Sequence, residues 1–347
     1  MKKILLYIFI LSALNISAQT FVSTNPENKK VILEEFTGIS CGFCPDGHLI
    51  ASQIHDNNPG NVAIIAIHAG GFASPTGPGT DFRTSFGDAI DTYWGISGYP
   101  AGTVNRVGGS MGRSSWTGAA TPILSQPSPV NVGIQANVDS TNTLTVDIEV
   151  YYTGSQTVTT NKLNVAVVQN NVEGPQSGSS GNPTAVLPNG NYNHMHMLRY
   201  MMTGTWGETI STISQGTLYT NQFTWSLPPD INGVPLIPQD LSIVAFVSEG
   251  NENILSGNER PVNVIGWVQP SWECTGNACI DPGTGNGQYT SEQQCINNCN
   301  ITPTWNCMGG TGADQGTCVD PGNGTGNHID SVLCEQSCIK RSFNCTP

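Results

Sequence analysis

The sequence predicts three parts in succession: an α/β domain, an antiparallel β-sandwich and a tail of small disulfide-rich repeats. Three observations carry this reading. Cys41-Gly42-Phe43-Cys44 sits between a short apolar run and a helix-like run, and a second continuous apolar run follows at Asn61–His68. From Val130 the apolar period changes to two, the mark of half-buried strands. Nine of the eleven cysteines fall between positions 274 and 345, at repeating intervals.

The first residues read as a signal peptide, residues 1–18. Met1-Lys2-Lys3 is basic, Ile4–Leu14 is apolar, and Ile16-Ser17-Ala18 offers small residues for cleavage. That leader is too short to span a bilayer in the mature chain, and no other apolar run approaches ~20 residues, so no transmembrane segment is expected. No cysteine lies at the cleavage site, which argues against a lipid anchor. The protein is therefore expected to be exported, to the periplasm, the outer membrane or the cell surface. A formal charge of −13, with no basic block beyond Lys29-Lys30, argues against nucleic acid as a partner.

Residues 20–127 read as the α/β domain. Val31-Ile32-Leu33 is a buried strand, a Gly-containing turn leads to Cys41, and Pro45–Ile54 is a helix. Amide donors at a helix start stabilise a thiolate, so Cys41 suits a nucleophile and Cys44, one turn on, a resolving thiol. Asn61–His68 is a parallel strand whose end borders the cysteine loop, bringing His68 to the site. Asp81–Trp94 reads as a helix with Asp81 as N-cap, Thr103–Val107 as a strand, Gly108-Gly109 as a hairpin turn and Ser115–Gln126 as the closing helix.

This segment resembles the active site of a thioredoxin-fold protein. Glu35 falls where that family carries a buried acid, and Phe36 matches the aromatic after it. Ile96-Ser97-Gly98-Tyr99-Pro100 resembles the loop before the family's cis-proline. Ser40 stands where thioredoxins usually have tryptophan. The resemblance implies a thioredoxin-like domain in which Cys41, Cys44, Glu35 and Pro100 are catalytic, while Tyr99, Pro100, Phe43 and His68 contact an extended client.

Pro127-Ser128-Pro129 reads as a linker to a sandwich over residues 128–266, Ig-like in outline. Its strands alternate at Val130–Ile134, Leu144–Val150 and Leu163–Val167, with more near Tyr192–Met202, Gln215–Leu227 and Leu241–Glu249. The Gly/Ser/Asn/Pro-rich stretch 172–191 is expected to be a mobile loop. His194-Met195-His196-Met197 carries soft donors that could hold copper, but it reads more simply as a strand with Met as core filler and His at the rim. No metal site or cofactor is assigned.

The tail contains a repeat. Trp272-x-Cys274 recurs as Trp305-x-Cys307, and Cys279-x-Asp281-Pro282-Gly283 recurs as Cys318-x-Asp320-Pro321-Gly322. Cys295 and Cys299 close the first copy (272–300) as Cys334 and Cys338 close the second (305–339). Residues 343–347 read as the opening of a third, truncated copy. In an exported chain these eight cysteines are expected as disulfides, and four cysteines per copy leave three pairings open.

A wider resemblance covers roughly residues 20–265. Leu33–Gly38 before the cysteines, Ala66–Gly71, and His194-x-His196-x-Leu198-Arg199 leading to Gly204–Gly207 look like the bacterial twenty-eight-kilodalton outer-membrane-protein (Omp) family. The resemblance implies an envelope protein with a thioredoxin-like N-terminal part. Two functions are expected. One is a thiol–disulfide oxidoreductase-like protein that exchanges disulfides with a protein client or redox partner through Cys41 and Cys44. The other is a surface adhesin or binding protein that uses the same domain as a scaffold for a surface ligand, which Ser40 and the tail repeats favour. Oligomeric state is not legible.

Overall fold

The computed structural model describes residues 20–265 throughout and, beyond them, residues 271–275, 278–282, 287–289, 295–296, 298–299, 303–308, 317–321 and 325–338. The expected signal peptide at 1–18 and third repeat at 343–347 lie outside the described residues. The chain divides into two compact units after Ile265.

In the first unit, β1 (Val31–Thr37) and β2 (Val62–His68) are buried along their whole length. They pair in parallel, with Val31 opposite Val62 and Thr37 opposite His68. Strands covered on both faces lose alternation, which is why both read as unbroken apolar runs. β3 (Ala101–Val104) runs antiparallel to β1, and β4 (Met111–Gly112) antiparallel to β3. On one face α1 (Cys44–Asp56) and α3 (Trp116–Ile123) pack Ala51, Ile54, Trp116 and Ala120 on Val31, Leu33, Val62 and Ile64. On the other, α2 (Ser85–Trp94) sets Ile90 against Ile32, Phe36, Ile65 and Ile67. The N-cap of α2 is Thr84, whose hydroxyl accepts from the Gly87 amide at 3.0 Å. Asp81, the expected cap, accepts from Arg83 instead, because a charged guanidinium two residues on is the stronger donor.

The rest of the unit adds β5 (Val130–Val138), β6 (Thr143–Tyr152), β7 (Asn161–Gln169), β8 (Val172–Gly174), β9 (Tyr192–His194), β10 (Met197–Met201), β11 (Glu208–Ile210), β12 (Leu218–Ser226), β13 (Asp230–Ile231), β14 (Val234–Pro235), β15 (Leu241–Glu249), β16 (Glu252–Pro261) and β17 (Asn263–Val264). The large sheet runs β16-β15-β7-β10-β2-β1-β3-β4, with β11 also on β7. A second sheet, β12-β6-β5-β17, packs its Val132, Ile134, Val146 and Ile148 against Leu163, Val165, Ile243 and Ala245 of β7 and β15.

The expected boundary at 127/128 therefore does not separate two sheets. β10 joins β2 in parallel and β7 antiparallel, so one sheet runs through both expected domains. The reason is visible in β7 and β15. Leu163, Val165 and Val167 face the second sheet, while Ala166 and Val168 face the α2 core. A strand buried on both faces belongs in the middle of an α/β sheet rather than in a half-solvated sandwich.

A buried ion pair ties the sheet together. Arg106 donates to Glu34 through Nε at 2.8 Å and Nη2 at 2.6 Å, and Thr103 Oγ1 donates to the same carboxylate at 2.8 Å. The guanidinium also donates to the Asn251 carbonyl at 3.0 Å and lies over the Phe246 ring at 5.2 Å. Removing one partner strands a buried charge, so Glu34→Ala is expected to destabilise the unit by about 3–5 kcal/mol. The double replacement Glu34→Leu/Arg106→Met is expected to cost far less. Urea unfolding of the three chains checks this; equal losses in single and double variants would contradict it.

In the tail unit, Glu273–Thr275 pairs with Ala278–Ile280, and Asn306–Met308 with Thr317–Val319, each placing two cysteines opposite one another. Disulfides join Cys274 to Cys299 and Cys279 to Cys295, then Cys307 to Cys338 and Cys318 to Cys334. Of the three pairings open from sequence, both copies take first-to-fourth and second-to-third.

Candidate functional site

The site begins where α1 starts. The Cys41 amide donates to the Gly38 carbonyl at 3.0 Å, turning the chain so that Cys41 and Cys44 close a disulfide with Cα atoms 5.4 Å apart. Phe43 is the N-cap residue of α1, and Pro45 opens its first turn, where the absent amide costs nothing. Gly47, one turn in, is where three elements converge. A Cβ there would lie 2.9 Å from Pro100 Cγ and 3.0 Å from Glu35 Oε1. The Tyr99–Pro100 peptide bond is cis. Helix, loop and strand thus bring Gly47, Pro100 and Glu35 together three residues beyond Cys44.

Glu35 is buried, and its Oε1 has no hydrogen-bond partner. Burial pushes its carboxyl pKa up to about 8. Tyr99 is held by a 2.5 Å bond from its hydroxyl to Asp91 and faces Phe72 edge-on at 5.8 Å. Phe43 is 68% exposed and Phe72 47%, with the Arg113 guanidinium 5.5 Å over the Phe43 ring. Phe43, between the two cysteines, and Phe72, whose carbonyl accepts from the Ser40 amide at 2.9 Å, put exposed apolar surface beside the cysteine turn.

The disulfide itself is covered. Cys41 is 2% exposed and Cys44 0%. The cover is part of the stretch expected to be a mobile loop, and that expectation is corrected. Gln176 Nε2 donates to the carbonyls of Gly38 at 3.2 Å and Cys41 at 3.0 Å, and the Ser177 amide donates to Ile39 at 2.8 Å. Gly178 lies so close that a Cβ would meet the Gly42 carbonyl oxygen at 2.0 Å. The Gly/Ser content that reads as looseness is what lets this segment lie flat on another backbone. Sequence reasoning missed Gln176 and Gly178, because nothing local marks a loop that folds back on a turn over 130 residues away.

Beneath α1 lies a cavity of about 260 Å³ whose lining includes Glu35, His48, His68, Tyr192, His194 and His196. His68, expected beside a client, is buried in this lining. His48 bonds Thr37 Oγ1 at 2.8 Å and the Tyr192 hydroxyl at 2.9 Å, and Asn182 donates to that hydroxyl at 3.0 Å. Burial lowers His48 to about 3, aided at acid pH by repulsion from His194 and His196 once they are protonated. It lowers His194 and His196 to about 4, and His68 further below its ordinary value. The four imidazoles are neutral at pH 7. The His194–Met197 stretch is not the rim of a regular strand: His196 has φ +55°, which breaks the alternation between β9 and β10.

The family described as "Outer membrane protein Omp28" matches residues 87–264, just over half of the chain. The chain belongs to the Omp28 family. The matched range of this Omp28 chain begins after Cys41 and Cys44. No curated protein sequence matches it. Among solved structures, HBP35 of Porphyromonas gingivalis is similar with a TM-score of 0.52 and 16% identity, covering 86% of this chain and 96% of that one. A domain of the outer membrane lipoprotein Omp28 from the same organism gives 0.27 and 17%, covering 40% of this chain and 90% of its own. A protein from Agrobacterium tumefaciens gives 0.39 and 11%, covering 67% and 94%. The likeness to HBP35 bears on the fold alone. Membership of the Omp28 family is consistent with a cell-envelope location, and no helix among the described residues is long and apolar enough to cross a membrane.

Proposed function

We propose that this Omp28-family chain is an exported thiol–disulfide exchange protein of the cell envelope, acting through Cys41 and Cys44 on a thioredoxin-like frame. The observation that carries the reading is the convergence at Gly47, where the first turn of α1, Pro100 and the unpartnered Glu35 oxygen lie within one methyl group's reach. Clustering of a helix-start disulfide, a cis-proline and a buried acid suits exchange better than a purely structural crosslink, which needs neither of the other two.

In the reduced protein, the Cys41 thiolate attacks one sulfur of a client disulfide, and the client's other sulfur leaves as a thiolate. Glu35 accepts the Cys44 proton. Cys44 then attacks Cys41 Sγ, the client's first sulfur departs as a thiolate, and the Cys41–Cys44 bond forms. Two electrons pass from the chain's dithiol to the client, and the reverse sequence oxidises a client dithiol. A carboxyl with a pKa near 8 exchanges protons readily at the pH of the cell envelope. Phe43, Phe72 and Tyr99 supply the apolar rim against which the client chain lies.

A second reading, a non-catalytic scaffold for surface binding, is favoured by the covered disulfide. Trapping in cells separates the two. Cys44→Ala is expected to accumulate covalent adducts released by dithiothreitol, because the resolving thiol is gone, whereas Cys41→Ala accumulates none. Absence of adducts in both, with the protein exported and folded, would establish the scaffold.

A further inference from the structure

We propose that His68, His194 and Glu35 form a binding site for a divalent transition-metal ion in the cavity under α1. Buried polar atoms nearly always find a partner, yet both ring nitrogens of His68, Nδ1 of His194 and Oε1 of Glu35 have none, and all three residues are buried in one cavity lining. His194 is also prepared as a ligand. Its Nε2 lies 3.3 Å from the Pro175 carbonyl, which can only accept, so Nε2 carries the proton and Nδ1 keeps its lone pair. A backbone carbonyl fixing the far nitrogen is the usual outer support of a metal-binding histidine.

Spacing agrees. The His68 and His194 ring centres are 5.3 Å apart. Two imidazoles bonded to one ion at about 2.0–2.1 Å have ring centres roughly 5–6 Å apart. Glu35 and His68 come from neighbouring strands in register, with Glu35 opposite Ala66 and Thr37 opposite His68. Side chains two apart along a strand share a face, so both point toward α1. His48 completes the wall 3.8 Å from Glu35 Oε1, but its two nitrogens are taken by Thr37 and Tyr192. Among the described residues only cysteine sulfurs form groups of three donor atoms within 4.8 Å, so binding at Glu35, His68 and His194 requires these side chains to rotate toward the ion. Two neutral imidazoles and a carboxylate match zinc-like ions. Copper(I) is a poorer match, because the Met195 sulfur in the lining accepts the Asn171 amide at 3.5 Å.

The test uses the mature full chain with its disulfides intact and no reductant, so that no thiolate contributes. After stripping with a chelator, Zn²⁺ is titrated in competition with a chromophoric chelator. One equivalent is expected to bind, with His68→Asn and His194→Asn each weakening it by about 100-fold and His328→Asn, in the tail, leaving it unchanged. A second readout needs no variant. The Co²⁺-loaded wild type should show two shifted, slowly exchanging imidazole N–H proton signals. No stoichiometric binding, loss of affinity in His328→Asn alone, undiminished affinity in folded His68→Asn and His194→Asn chains, or no shifted imidazole signal would each overturn the site. Glu35 is shared with the exchange step and serves it in the metal-free chain. The Zn²⁺ titration is read with the disulfide intact and adduct trapping reads Cys41 and Cys44, so failure of one reading is distinguishable from failure of the other.

Discussion

Gly178→Val will raise the rate at which dithiothreitol reduces Cys41–Cys44 by about 100-fold. Gly178 has φ +68°, a conformation that costs a β-branched residue roughly 1–2 kcal/mol. Its Cβ would also lie 2.0 Å from the Gly42 oxygen and 2.6 Å from the Gly42 carbonyl carbon. These are backbone atoms that no rotamer change removes, and overpacking of this kind costs about 1–3 kcal/mol. Both costs vanish when the segment lifts off the cysteine turn. Some 3 kcal/mol then moves into the opening equilibrium, and each ~1.4 kcal/mol is tenfold. Gly190→Val is the control, since Gly190 also has positive φ, at +89°, but its Cβ meets nothing within 4 Å. Alkylation gel shifts read the rates. Equal rates in wild type and Gly178→Val would mean that the disulfide is reached without moving its cover, and the covered state would then have no bearing on exchange.

Stability of the metal-free protein will peak near pH 7, with a steep acid side and a shallow alkaline side. There the four unfolded imidazoles together bind about as many protons as native Glu35. Burial holds His48, His194 and His196 at about 3 to 4 and His68 well below the ordinary 6.5. Between those values and 6.5 the unfolded chain binds protons that the native cavity refuses, so stability present above pH 6.5 is lost as pH falls. Glu35 acts in the opposite direction. Its pKa rises from 4.5 to about 8 on folding, so the stability present below 4.5 is lost as pH climbs through 8. At about 1.4 kcal/mol for each tenfold in proton affinity, that loss is roughly 5 kcal/mol. Below pH 7 four imidazoles outweigh one carboxyl. Glu35→Gln should therefore flatten most of the alkaline decline and leave the acid side in place; Asp91 and Glu259, also raised by burial, keep a remainder. Urea unfolding in chelator across pH 4–9 checks both limbs. An alkaline slope unchanged in Glu35→Gln would remove the buried acid from the account.

Much of the α/β half was legible. Val31–Leu33 and Asn61–His68 announce strands by unbroken apolar runs, and the cysteine spacing before Pro45 announces the helix start. The tail's repeat announced crosslinked pairs without saying which. The joining of β7 and β15 to β2 was less visible, though a signal existed. Val165-Ala166-Val167-Val168 and Ile243–Val247 are continuous rather than alternating, and continuity means burial on both faces. Leu163, Val165 and Val167 alone form an alternating subset that predicts a sandwich strand, whereas the full run belongs to one sheet through both expected domains.

The sequence by itself determined what acts over a few residues: the strand and helix periods, the turn that lets Cys41 reach Cys44, and the Tyr-Pro pair at 99–100. Only the tertiary structure decided that residues 176–178 cover the disulfide and that histidines from α1, β2 and β9 meet Glu35 around one cavity. The physical reason lies in chain statistics. The entropy of closing a loop grows only with the logarithm of its length, so separation along the chain barely discriminates among distant partners. Which of them meet is settled by side-chain shape, burial on both sheet faces and the pairing of buried polar groups, none of which a local window of residues contains.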